Sequence, residues 1–169
     1  MKPAVVSVAA KSGTGKTTLV VKLISELKRR GYRVGAVKHD GHGFSMDKEG
    51  KDSWRFTEAG SDITMVTSRD QIAMIRKNSD RQEPPLEETI ARYFSDVDIV
   101  ITEGFKKNTL PKIEVHRREC RSQLLYRGEN DDPNLIAVAS DEPLNLDVPV
   151  FDLNNARGIC DLIESRFLS

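Results

Sequence analysis

Residues 4–10 form a short apolar run broken only by Ser7. It leads directly into Lys11, Ser12, Gly13, Thr14, Gly15, Lys16, Thr17 and Thr18, and then into Leu19, Leu23, Ile24 and Leu27 at helical spacing. No other stretch of the chain restricts its fold as strongly. Strand, glycine-rich turn and amphipathic helix, in that order, predict a buried parallel strand whose carboxyl end hands over to a helix N-terminus. A triphosphate has to be met without a bulky wall, and Gly13 and Gly15 let backbone N–H groups close around its oxygens while the helix N-terminus adds partial positive charge. In this arrangement Lys16 reaches the β- and γ-phosphates, the Thr17 hydroxyl holds Mg²⁺, and Ser12, Thr14 and Thr18 complete the cradle. The first position of the Gly-x-x-x-x-Gly-Lys-[Ser/Thr] spacing is Ala10 here, which is tolerable if its φ stays negative.

Apolar strand-like runs alternate with helical patterns along the rest of the chain, which predicts an α/β fold with a mostly parallel sheet covered by helices on both faces. The first helix closes with Lys28–Arg30 in its last turn and Gly31 as a left-handed stop. Strands are expected at 33–38, 99–102, 112–116, 123–126, 135–139 and 150–153. A glycine- and aspartate-rich loop runs to Asp52, and loops of that length are usually functional. A short helix is expected at 53–59, and 63–67 with 71–76 read as an added β-hairpin that could extend the sheet. Residues 78–85 form a polar linker before a helix marked by Leu86, Ile90 and Phe94. Ile159, Leu162, Ile163 and Phe167 mark the terminal helix.

The 169 residues suit a single domain, 1–169. With 26 basic and 26 acidic residues, no whole-molecule field draws the chain to nucleic acid or to an anionic membrane, so an anion must be held locally. No apolar run approaches membrane-spanning length, and no secretory leader is read at the start. Cys120 and Cys160 lie far apart and form no metal-binding pair, which suits a reducing compartment, and a cytoplasmic location is expected.

Glu103 closes the apolar run 99–102 at a strand's carboxyl end, where open α/β sheets place their ligands, and this is how a Walker B strand delivers a carboxylate beside Mg²⁺. Asp98, at the other end, reads as a cap or surface residue. Lys38-His39-Asp40-Gly41-His42-Gly43, Gly50-Lys51-Asp52-Ser53, Glu103-Gly104-Phe105-Lys106 and Ala137-Val138-Ala139-Ser140-Asp141 follow the cradle in order. Together these segments resemble the MobB family, the GTP-binding adaptor of molybdopterin guanine dinucleotide biosynthesis, over essentially the whole chain. The resemblance implies a P-loop NTPase fold, a homodimer, weak GTP hydrolysis and partnership with the guanylyltransferase MobA, with molybdopterin nearby.

Lys11 matches the extra lysine by which dimeric P-loop relatives reach a partner's nucleotide, but a solvated lysine beside an anion is the preferred reading. His39 and His42, with Asp40 and Asp47 nearby, offer a partial metal set. On a loop, however, their spacing defines no common face, and hydrogen bonding to nucleotide or pterin phosphates is preferred. Asp47 and Asp52 approach Mg²⁺ directly or through water, or else cap the following helix. Lys106 and Lys107 suit an anionic second substrate beside the γ-phosphate, or form a solvated pair. Asp141 either accepts both guanine N–H groups or is a turn residue before Glu142-Pro143. His116, alone on a strand, is structural. Two rivals remain open: a P-loop small-molecule kinase with a lid drawn from Arg76, Lys77 and Arg81, and a partition-type dimeric ATPase using Lys11 in trans.

Overall fold

The computed structural model describes residues 2–78, 82–106, 108–120 and 123–168. In chain order the elements are β1 (Ala4–Ala9), α1 (Lys16–Arg29), β2 (Val34–Lys38), α2 (Asp52–Glu58), β3 (Ile63–Thr67), β4 (Ile72–Arg76), α3 (Leu86–Tyr93), β5 (Ile99–Glu103), β6 (Lys112–His116), β7 (Leu135–Ser140), β8 (Val150–Asp152) and α4 (Ala156–Phe167). They fall into two compact units, 1–39 with 90–169, and 40–89.

The larger unit holds a six-stranded sheet in the order β2-β5-β1-β6-β7-β8. Every pairing in it is parallel. The central strands are apolar on both sides because both faces are covered; β7 is buried at every position. Val6, Val8, Ile99, Ile101, Ile113 and Val115 pack with Leu19, Leu23 and Leu27 of α1 and with Ile159 and Ile163 of α4. Arg30 ties the two helices further, with Nε 2.9 Å from Glu26 and Nη1 2.7 Å from Glu164.

A second cluster packs Ala9, Leu135 and Val138 with Leu124, Leu125 and Tyr126. Leu124, Leu125 and Tyr126 are therefore buried while Gln123 is exposed, and 123–126 form a loop and turn and not the strand expected of them. The reason is a competing acceptor: the buried Glu114 carboxylate takes the N–H of Leu125 at 2.6 Å and that of Tyr126 at 3.1 Å, so those donors are withheld from any ladder. Burial pushes the Glu114 carboxyl above its ordinary value, and the two backbone N–H groups oppose that shift.

Gly35 of β2 faces Phe94. A Cβ built there would overlap Phe94 Cδ1 and lie 2.8 Å from Phe94 Cε1 and 3.3 Å from Val100 Cγ2. Gly35→Ala is therefore expected to destabilise the folded chain by about 1–3 kcal/mol through overpacking, read as a fall in the thermal midpoint.

In the smaller unit, β3 and β4 pair antiparallel as their own two-stranded sheet and do not extend the large one. Thr57 of α2 joins its Oγ1 to that of Thr64 on β3 at 3.0 Å. The hairpin face built from Ile63, Met65, Met74 and Ile72 is open, with Met65 53% and Ile72 68% exposed.

Candidate functional site

The turn between β1 and α1 begins where β1 leaves the sheet between β5 and β6. Gly13 (φ 80°) and Gly15 (φ 92°) are left-handed there, a conformation that only glycine adopts cheaply, and a Cβ on Gly13 would meet nothing within 4 Å. Phe105 is the one non-glycine residue with positive φ among the described residues, so Ala10 lies outside the left-handed region and its methyl is accommodated. Gly15 is the N-cap of α1 and has no side chain with which to close off the first N–H groups of the helix. Thr14, almost fully buried, anchors the loop by donating from Oγ1 to the Lys11 carbonyl at 3.0 Å. Ser12 and Gly13 are exposed at the tip.

Lys16 folds over this loop and donates to the carbonyls of Lys11 at 2.8 Å and Ala10 at 3.3 Å. Burial, then the cations of Lys106 and Lys38, push its ammonium below the ordinary value, with Glu103 pulling the other way. This is a site with surplus positive potential. One residue along, Thr17 Oγ1 donates to the Glu103 carboxylate, 3.0 Å from Oε1 and 2.9 Å from Oε2. Glu103 reaches that position because β5 pairs with both β1 and β2, setting it opposite Val8 and Lys38. The hydroxyl and the carboxylate are hard oxygen donors within one hydrogen bond of each other, which is the donor chemistry Mg²⁺ takes.

Immediately after Glu103 the chain turns through Gly104 (φ 100°) and Phe105 (φ 50°). A Cβ on Gly104 would press on His39 Cβ at 3.1 Å. The His39 ring tilts against Phe105 with centroids 5.1 Å apart, and the His39 main-chain N–H donates to the Glu103 carbonyl at 2.9 Å. The main-chain carbonyl of Lys106 accepts Tyr126 Oη at 3.2 Å, while its side chain is exposed. Lys107 and Arg81 lie outside the described residues.

A cleft of about 190 Å³ opens beside the turn, lined by Thr14, Gly15, Thr18, Lys22, Arg117 and Asp141 together with Leu19, Asp152, Leu153 and Asn154. Asp141 is thus brought to the cradle, and its Oδ1 accepts the Arg118 N–H at 2.9 Å. On the far side Lys22 Nζ bonds Asn154 Oδ1 at 2.6 Å. Arg117, Asp152 and Asn154 escaped the sequence reading. Their signal was positional: 117 and 152–154 stand at the carboxyl ends of β6 and β8, the edge where such sheets bind ligands.

Lys11 is engaged within its own chain, with Nζ 2.6 Å from Glu129. His116 pairs with Glu142 at 2.8 Å and is nearly buried. Asp98 is exposed, and its Oδ2 accepts the Arg33 N–H at 2.6 Å. The remaining residues considered for the site belong to the smaller unit. Asp40 Oδ1 accepts the His42 N–H at 2.9 Å, and Asp47 Oδ1 the Lys48 N–H at 2.8 Å. Asp52 opens α2 with Arg55 at 4.0 Å. Lys77, considered for a lid, donates to the Thr57 carbonyl at 2.9 Å, and Arg76 pairs with Ile63 in the hairpin. Among the described residues no three His, Cys, Asp or Glu side chains gather as a metal site, and no helix is long and apolar enough to cross a membrane.

Comparison with known proteins agrees with this architecture. The chain is 41% identical over 158 residues to the molybdopterin-guanine dinucleotide biosynthesis adapter protein of Escherichia coli (strain K12), covering 92% of this chain and 88% of that one. It is 39% identical to the protein of the same name from Haemophilus influenzae, covering 91% and 84%. A crystal structure of molybdopterin-guanine biosynthesis protein B superposes with a TM-score of 0.77 at 28% identity, over 98% of this chain and 99% of that one. That of Bacillus subtilis MobB superposes at 0.74 and 26%, over 98% of each. Both neighbours share the P-loop NTPase-like α/β fold. The family described as MobB, molybdopterin guanine dinucleotide synthesis protein B, matches residues 5–141, and the chain belongs to that family.

Proposed function

We propose that this chain is a GTP-binding adaptor with weak GTPase activity that serves molybdopterin guanine dinucleotide biosynthesis by assisting the guanylyltransferase MobA. The observation that carries the reading is the joint placement of Lys16, Thr17 and Glu103. A flexible ammonium rests on neutral carbonyls that a phosphate outcompetes, and a hydroxyl and a carboxylate meet beside it. Thr17 and Glu103 would hold Mg²⁺, which when bound neutralises charge on the β- and γ-phosphates. The backbone N–H groups of residues 13–18 hold and orient the phosphates, and Asp141 reads the guanine edge from the cleft.

Hydrolysis is slow in this reading, on the order of 10⁻⁴ to 10⁻² per second, the range of P-loop GTPases that lack an arginine supplied in trans. Among the lid candidates of the kinase alternative, Arg76 pairs with Ile63 and Lys77 bonds the Thr57 carbonyl, which favours the adaptor reading. Lys11 bonds Glu129 of its own chain, which favours the adaptor reading over the partition-type one. A second copy of the chain suits the open apolar hairpin face, and a homodimer is part of the proposal. Lys38 and Lys106 suit an anionic group beside the nucleotide, which makes a pterin phosphate the proposed second ligand.

The test is GTP and ATP affinity measured side by side, with and without Mg²⁺, for the wild type and Asp141→Asn. The expected result is Mg²⁺-strengthened binding with GTP preferred, and erosion of that preference by about tenfold in Asp141→Asn, because one acceptor becomes a donor. Equal affinities for the two nucleotides, or rapid phosphoryl transfer to a small acceptor, would refute the adaptor reading.

A further inference from the structure

Arg117 follows β6, the neighbour of β1 in the sheet, and its side chain reaches the glycine-rich turn. Its Nε donates to the Thr14 carbonyl at 2.9 Å. The guanidinium lies beside Gly15: a Cβ there would stand 3.4 Å from Nη2, 3.5 Å from Nε and 3.9 Å from Cζ. Glycine is needed there for the left-handed φ of 92°, while a Cβ would meet the guanidinium only in ordinary van der Waals contact. Its counter-charge is loose, since Nη1 is 3.6 Å from Glu119, whose side chain is 71% exposed. Arg117 also lines the cleft shared with Thr18 and Asp141.

A trans peptide points its carbonyl and its N–H in opposite directions. Holding the Thr14 carbonyl therefore orients the Gly15 N–H as well, and among the described residues every peptide is trans. From this geometry, and resting on the nucleotide-binding reading above, we infer that Arg117 is a positioning residue of the phosphate cradle. It fixes the Thr14–Gly15 peptide so that the Gly15 N–H faces a bound phosphate, and it adds a guanidinium charge to the rim nearest the base cleft. Fixing the peptide before the ligand arrives removes an ordering cost from binding, and the charge favours any nucleotide carrying phosphate. The assignment applies equally to GTP and GDP, because the rim it serves belongs to the shared part of the nucleotide.

The experiment titrates Mg²⁺-GTP and GDP into the wild type, Arg117→Ala, Arg117→Gln, Arg117→Lys and Lys16→Ala, and follows the Gly15 amide resonance in each titration. Arg117→Ala is expected to weaken both nucleotides by about tenfold, the size of one charge-assisted hydrogen bond, and to shrink the GTP-induced displacement of the Gly15 amide. Arg117→Lys, which keeps charge and a donor, should recover most of the affinity, and Arg117→Gln less. A side chain that merely stabilised the fold would lower the melting temperature without altering the Gly15 response. Wild-type affinity and a wild-type Gly15 response in Arg117→Ala, or in Arg117→Gln should the alanine variant fail to fold, overturn the assignment. If Lys16→Ala loses GTP while Arg117→Ala keeps it, only the role of Arg117 falls. If Lys16→Ala also binds GTP like the wild type, the cradle reading falls and takes this inference with it.

Discussion

Lys16→Ala is expected to lose GTP while remaining folded, with affinity reduced at least tenfold and, if both phosphate contacts count fully, by about a hundredfold or more. The ammonium rests on the glycine-rich loop itself. It makes no core contact, it bonds only loop carbonyls, and burial together with Lys106 and Lys38 disfavours its charge. A lysine whose pKa is depressed in the folded state opposes folding while it is charged. Its removal should therefore leave the melting temperature of the nucleotide-free chain unchanged or slightly raised. Nucleotide has the opposite effect. GTP at about a hundred times its Kd stabilises the wild type by about 2.7 kcal/mol, worth roughly 5–10 °C at this chain length, and that rise should vanish in the variant. A variant that keeps the full GTP-induced rise would show that the lysine is a bystander.

Lys112→Met is expected to produce the largest loss of stability. Lys112 opens β6 fully buried, with Nζ 2.9 Å from Asp132 and hydrogen-bonded to the carbonyls of Asn108 and Leu110, the latter at 3.1 Å. The Tyr126 ring lies beneath it at 5.6 Å. Methionine fills the volume but leaves a largely buried carboxylate and two carbonyls without their donor, which costs about 3–5 kcal/mol and lowers the melting temperature by roughly 6–20 °C. The pair also has a pH signature. Burial works against the Asp132 charge, but the bonds from Lys112 and Asn134 prevail and hold its carboxyl below the ordinary 3.8. A depressed carboxylate pKa stabilises the fold above the unfolded-state value and loses that contribution as pH falls through the folded one. The wild type should lose the contribution of this pair below about pH 4, and Lys112→Met should lack that part of the acid limb. An unchanged melting temperature in the variant would mean that the pair stabilises nothing.

The sites of these two substitutions differ in how visible they are in the sequence. Lys16 announces itself through local order: strand, glycines at fixed offsets, lysine, threonine and helix are contiguous, so the physics of the turn is complete within about fifteen residues. The same holds for the parallel sheet, whose buried strands carry their apolar character along their own length, and for Glu103, which stands at the end of one of them. Lys112 reads in the sequence as an ordinary surface lysine at a strand start. Only the packing of Tyr126 and Asp132 around it, 14 and 20 positions downstream, shows a buried ammonium.

Residues 123–126 depart from the expected strand for a related reason. Leu124, Leu125 and Tyr126 are buried, but whether such a run becomes a strand or a turn depends on a distant acceptor, Glu114, that captures the N–H groups of Leu125 and Tyr126. Arg117 stayed hidden because its partner is a main-chain carbonyl 103 residues earlier, and a carbonyl has no sequence signature. Lys11 reads in the sequence as a solvated lysine, and its bond to Glu129, 118 residues away, is visible only in the fold. Sequence alone thus determined most of the elements and the glycine-rich turn, where the causes are local and periodic. The tertiary structure decided which charged groups are paired, buried or turned toward the cradle, because those outcomes depend on desolvation and on partners that only the folded chain brings within a few ångströms.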